Sequence, residues 1–171
     1  MTEKQLVATT TISAPAKVVF AVLADPNTHA AIDGTGWVRQ PLDSERLREP
    51  GQIFRMAMYN DNHPNKFYEM VNKVVVCDPP NAISWKPGQD VSSPQALLDR
   101  APEDGNLAFG GWIWRYDLMP VGPSETEVRL TYDWSAVPPS VGNIEFPPFA
   151  PEHLDNSLRN LAGLAAQGAP A

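Results

Sequence analysis

Gly111-Trp112-Ile113-Trp114-Arg115-Tyr116-Asp117-Leu118 and Val128-Arg129-Leu130-Thr131-Tyr132-Asp133-Trp134 set the architecture of this chain. Successive side chains of a strand point to opposite faces. The first stretch therefore places Trp112, Trp114, Tyr116 and Leu118 opposite Ile113, Arg115 and Asp117. The second places Val128, Leu130, Tyr132 and Trp134 opposite Arg129, Thr131 and Asp133. Each reads as a strand with one apolar and one solvated face. Side by side they build a wide aromatic wall, which a helix must cover or which lines a cavity for something apolar.

Working outward, Leu6, Ala8, Thr10 and Ile12 alternate in a first strand. Ala14-Pro15 opens a helix carrying Val18, Val19, Val22 and Leu23, and Asp25-Pro26 opens a second short one to about Ile32. Gly34 and Gly36 lead to a strand near Trp37 to Gln40, and Asp43 to Pro50 reads as an exposed turn. Gln52 to Tyr59 turns Phe54, Met56 and Met58 to one face. Lys66 to Cys77 does the same with Tyr68, Met70, Asn72 and Val74. Two prolines in Asp78-Pro79-Pro80-Asn81 mark a hairpin turn before Ala82 to Lys86, with Ile83 and Trp85 inward. Pro151 to Gln167 is an amphipathic helix with Leu154, Leu158, Leu161 and Ala165 on one stripe. The order predicts an α+β fold: a curved antiparallel sheet of about six or seven strands wrapped on a long C-terminal helix.

The chain of 171 residues is expected to form one domain, residues 1–171, with 168–171 as a disordered tail. Its net charge of −7 argues against nucleic acid and against docking on anionic lipid. The single cysteine, Cys77, cannot form an internal disulfide, and no segment reads as a signal peptide or membrane span. A cytoplasmic protein without integral membrane association is expected. Nothing in the pattern fixes an oligomeric state.

Several short stretches carry a family resemblance. They are Ile12-Ser13-Ala14-Pro15 with Val19-Phe20 and Asp25-Pro26, Ile32-Asp33-Gly34-Thr35-Gly36, and Phe54-Arg55-Met56-Ala57-Met58. Asp78-Pro79-Pro80 before Ile83-Ser84-Trp85, Trp114-Arg115-Tyr116-Asp117-Leu118 and Tyr132-Asp133-Trp134-Ser135 complete the set. From about residue 5 to residue 166 the chain resembles the START-related helix-grip superfamily (SRPBCC), and most of all a bacterial branch called polyketide cyclase/dehydrase-like. The resemblance implies a helix-grip fold with a cavity between sheet and C-terminal helix. It implies no single activity, because the superfamily spans lipid carriers, ring-closing enzymes, receptors and chaperone activators.

The residues themselves favour binding over chemistry. No strand offers an inward Asp, Glu, Lys, Arg or His, and unperturbed Tyr, with a pKa of about 10, is a poor base. The expected ligand-binding residues are Phe54, Met56, Met58, Tyr68, Met70, Asn72, Trp85, Trp112, Trp114, Tyr116, Tyr132, Trp134, Leu154 and Leu158. The expected partner is a hydrophobic small molecule: a lipid, a polyketide or an aromatic polycycle. At ~0.8 kcal/mol per buried methylene, on the order of ten carbons are needed for micromolar affinity. The alternative is a cyclase or dehydratase whose acid/base candidates are Asp33, His153 and Tyr132, a close Asp33–His153 pair being the feature that would make a general base. His29 and His63 lack partners at metal-ligand spacing, and no cofactor fingerprint is present, so neither metal nor cofactor is expected. Pro87 to Gly105 reads as an insertion and possible lid with Ala96, Leu97 and Leu98 beneath it. Ile144, Phe146 and Phe149 are expected beside the last helix.

Overall fold

Alternation sets the strands, and the computed structural model gives their extent; it describes residues 4–33, 37–42, 45–59, 66–92, 102–103, 105–137 and 149–168. The first half comprises β1 (Gln5–Ile12), α1 (Ala16–Leu23), a 3-10 turn (Pro26–Thr28), α2 (His29–Asp33), β2 (Val38–Pro41), β3 (Ile53–Tyr59) and β4 (Phe67–Asp78). The second comprises β5 (Ala82–Asp90), β6 (Leu107–Phe109), β7 (Ile113–Gly122), β8 (Glu125–Asp133) and α3 (Glu152–Gly168). Among the described residues the strands form one antiparallel sheet in the order β1-β8-β7-β5-β4-β3-β2, with β6 paired to β5 off that path.

The register puts the aromatic positions in rows. Trp114 lies opposite Tyr132 on β8 and opposite Trp85 on β5. Asn72 lies opposite both Phe54 and Pro87, Met56 opposite Met70, and Met58 opposite Tyr68. Since same-face neighbours on paired strands are in reach of one another, five strands contribute to one continuous inner surface.

The helix α3 closes part of that surface. Its stripe of Leu154, Leu158, Leu161 and Ala165 is fully buried with Ile12, Val19, Leu23, Val128 and Leu130. The helix packs against α1, α2 and β1. Burying each such Leu or Ile contributes about 1.5–3 kcal/mol, so this end of the sheet is a filled core.

Two expectations change. β5 runs on to Asp90 rather than ending at Lys86, so the segment from Pro87 is strand at its start. Pro87 continues the inward phase of Ile83 and Trp85, and its carbonyl accepts from the Gly110 N–H at 3.5 Å. The charged stretch after Asp43 is not wholly exposed: Leu47 is buried, and its N–H donates to the Ala24 carbonyl at 2.8 Å. Two residues before β7, Gly111 is a conformational requirement, with φ +104 and the backbone of Ala136 hard against it. His63, Gly34, Gly36, Ala96, Leu97, Leu98, Ile144, Phe146 and 169–171 lie outside the described residues.

Candidate functional site

Where α3 leaves the sheet uncovered, a cavity of about 220 Å³ opens between them. Its wall comes from β3 (Phe54, Met56, Met58), β4 (Tyr68, Met70, Asn72), β5 (Trp85, Pro87) and the β7–β8 aromatics Trp112, Trp114, Tyr116 and Tyr132. The helices and loops add His29, Ile32, Asp33, Trp37, Val38, Phe149, His153 and Ser157.

Two aromatic clusters border it, each containing a buried imidazole. In one, His29 stacks on Trp85 at 4.9 Å and meets Phe54 edge-on at 5.6 Å. In the other, Phe149 lies 4.7 Å from His153, 4.9 Å from Tyr132 and 5.5 Å from Trp114. Such ring pairs each add about 0.5–1.5 kcal/mol beyond burial and hold one another's orientation.

The second cluster holds a carboxylate–imidazole pair: His153 Nε2 lies 3.6 Å from Asp33 Oδ1, with the side chains 9% and 11% exposed. Asp33 ends α2, and its other oxygen accepts from the Val38 N–H at 3.4 Å. His153 stands in the first turn of α3, its N–H bonded to the Ala150 carbonyl. Burial pushes the His153 imidazole below its ordinary pKa, and Asp33 partly restores it. The net result is a mainly neutral base at neutral pH. Burial drives the phenols of Tyr116 and Tyr132 well above the ordinary value, with Asp33 adding to the effect at Tyr116. Tyr68 moves the same way, from burial and then Asp33. These hydroxyls stay protonated at neutral pH, the form that can donate a hydrogen bond.

Solved structures share the fold that carries this site. A START superfamily protein from Mycobacterium smegmatis superposes with a TM-score of 0.62 over 95% of this chain and 97% of its own, at 15% identity. A Chromobacterium violaceum protein, CV1439, gives 0.62 over 94% and 96%, at 16% identity. Norcoclaurine synthase from Thalictrum flavum, in complex with dopamine and hydroxybenzaldehyde, gives 0.61 over 98% and 89%, at 14% identity. This chain has the START-like helix-grip fold.

No protein-family model matches the chain. The uncharacterized protein Rv0088 of Mycobacterium tuberculosis is 26% identical over 125 residues, which is 73% of this chain but 45% of that protein. The match thus spans about half the length of that relative.

Within the helix-grip fold, the sequence-derived site residues divide cleanly. Phe54, Met56, Met58, Tyr68, Met70, Asn72, Trp85, Trp112, Trp114, Tyr116 and Tyr132 stand in the cavity wall, as do Asp33 and His153. Trp134, Leu154 and Leu158 do not. Trp134 lies past the end of β8, its N–H bonded to the Lys4 carbonyl, and its ring backs Tyr132 from 5.8 Å. Leu154 and Leu158 point into the filled core, because the helix turns the adjacent pair His153 and Ser157, one turn apart, toward the cavity instead. The residues that sequence reasoning missed are His29, Ile32, Trp37, Val38, Pro87 and Ser157. Of these only Pro87 had a readable signal, its continuation of the Ile83–Trp85 phase. Among the described residues no three His, Cys, Asp or Glu groups cluster as a metal site, and no helix is long and apolar enough to cross a membrane.

Proposed function

We propose that this protein binds a hydrophobic small molecule, of one or two rings or an equivalent short chain, in the cavity between sheet and α3. The observation that carries this reading is the wall itself: six strands and two helices line about 220 Å³, largely with aromatic and Met side chains. A cavity of roughly 150 Å³ is enough for benzene, so this one suits a guest slightly larger, and an extended lipid fits less well. Met56, Met58 and Met70 adapt to the guest's shape, while the tryptophans supply flat contact area. That a protein of the same fold holds dopamine and hydroxybenzaldehyde, both single-ring compounds, supports a guest of this size.

Native mass spectrometry of freshly purified protein, with organic extraction of what it releases, tests the reading. An adduct of aromatic or polyketide-like mass is expected. Failure of every one- or two-ring probe to bind the purified protein, together with a clean apo mass, overturns it.

A second reading, a cyclase- or dehydratase-type enzyme, is favoured by the 3.6 Å approach of His153 to Asp33. The Asp33 carboxylate beside Nε2 favours the tautomer with Nε2–H once the two groups close to hydrogen-bond distance. That leaves the Nδ1 lone pair to accept a proton from an acidic carbon next to a carbonyl. The electron pair moves onto the carbonyl oxygen, where Tyr116 and Tyr132 supply donors. The proton on His153 then goes to a leaving hydroxyl, which departs as water, or returns to carbon. Tyr132 is therefore a donor in this scheme and not a base. Deuterium uptake into 1-tetralone in heavy water is expected to exceed background with the wild-type protein and to fall to background in His153→Gln. Equal rates in the two proteins exclude this reading and leave the binding reading intact.

A further inference from the structure

We propose that His29 is the specificity-determining acceptor of the cavity, its Nδ1 receiving a hydrogen bond from an O–H or N–H group on the bound molecule. This rests on the cavity being a ligand site and narrows which ligand it takes.

The tautomer follows from one contact. His29 Nε2 lies 2.9 Å from the Leu23 carbonyl oxygen, which can only accept, so the proton is on Nε2. A neutral imidazole with Nε2–H has a bare lone pair on Nδ1. Burial favours that neutral form, outweighing the opposite pulls of the Leu23 bond and Asp25.

The ring is fixed in place. Asp25 caps the 3-10 turn through the Asn27 N–H at 3.0 Å, and Thr28 Oγ1 donates to the Val22 carbonyl at 2.7 Å. His29 follows directly, pressed flat on Trp85 with an interplanar angle of 15°. It is 8% exposed and stands in the cavity wall, and among the described residues its ring is hydrogen-bonded at Nε2 and not at Nδ1. A buried acceptor of this kind is costly to leave unmade. An all-carbon guest seals it off from water without a partner; a guest bearing a hydroxyl or N–H satisfies it. A rigid, oriented acceptor inside an otherwise apolar pocket is the usual means by which such sites discriminate between shapes of equal size.

The test compares 2-naphthol with 2-methylnaphthalene, which match in shape and differ in the donor, by titration calorimetry near neutral pH. Wild-type protein is expected to bind the naphthol about tenfold more tightly. In His29→Gln, whose amide N–H still reaches the Leu23 carbonyl but which has no acceptor at the Nδ1 position, the preference should shrink to about twofold or less. His29→Asn, which keeps an acceptor there, should retain it. In the wild-type protein the nitrogen-15 resonance of His29 Nδ1 should move on adding 2-naphthol and stay put on adding 2-methylnaphthalene, a readout that stands even if a variant fails to fold. Equal affinities in wild type, an undiminished preference in His29→Gln, or an unmoved Nδ1 resonance overturns the proposal while leaving the cavity reading in force. Binding of neither compound overturns the cavity reading itself.

Discussion

His153 Nε2 and Asp33 Oδ1 face each other at 3.6 Å from the ends of two different helices. The contact is held from a distance: Asn160, about two turns further along α3, donates from Nδ2 to the Ile32 carbonyl at 3.1 Å, one residue before Asp33. That bond pins α2 to α3 and fixes the spacing between carboxylate and imidazole.

Removing the carboxylate charge should therefore lower the His153 pKa further, since Asp33 is the group that raises it against burial. In Asp33→Asn the His153 ring protons should titrate at lower pH than in wild type by NMR. Asn160→Leu should move the titration the same way by loosening the pair. An unchanged midpoint in Asp33→Asn would mean that the two groups do not interact in solution.

Acid stability should follow the buried imidazoles. The folded-state pKa of His29 is depressed by burial below the unfolded value of about 6.5. Between those two values the unfolded chain binds more protons, so stability rises with pH through that window and is flat above it. Tm should fall as pH drops below about 6.5, and the acid slope should be shallower in His29→Gln. Tyr116 and Tyr132 act at the other end, their neutral forms favouring the fold until pH rises above about 10.

Trp114→Ala and Leu158→Ala should separate ligand binding from folding. Trp114 is only half-buried and packs on Tyr132 at 4.5 Å, so its loss should cost about 1–3 kcal/mol while weakening 2-naphthol binding roughly tenfold or more. Leu158 lies in the filled core away from the cavity wall, and its truncation should cost about 2–5 kcal/mol with affinity nearly unchanged in the folded protein. Denaturant melts and calorimetry on both variants decide. Loss of folding in Trp114→Ala with no ligand effect would contradict the cavity reading at that position.

Two glycines should respond in opposite directions to alanine. At Gly111 a Cβ would sit 2.6 Å from the Ala136 carbonyl oxygen on a φ of +104, against backbone that has no rotamer to escape by, and the cost should be at least about 1–3 kcal/mol. Gly163, in α3 with nothing within 4 Å of its Cβ position, should gain about 0.5–1 kcal/mol. Thermal melts give both signs directly.

The alternation of Trp112, Trp114 and Tyr116, and of Phe54, Met56 and Met58, determined by itself that these strands share an apolar face. That information is local, because a strand's period of two places side chains without reference to the rest of the fold. The order of elements and the stripe Leu154–Leu158–Leu161–Ala165 likewise fixed the sheet-on-helix architecture. What tertiary structure alone decided is which apolar residues border empty space and which fill the core. The stripe of α3 is core because α1 and β1 meet it there, while its flank, His153 and Ser157, faces the cavity. The pairing of Asp33 with His153, and the stacking of His29 on Trp85, likewise join residues far apart in sequence. No periodicity encodes a contact of that kind, because it depends on where two helices dock on a curved sheet and on the side-chain volumes that set the distance between them.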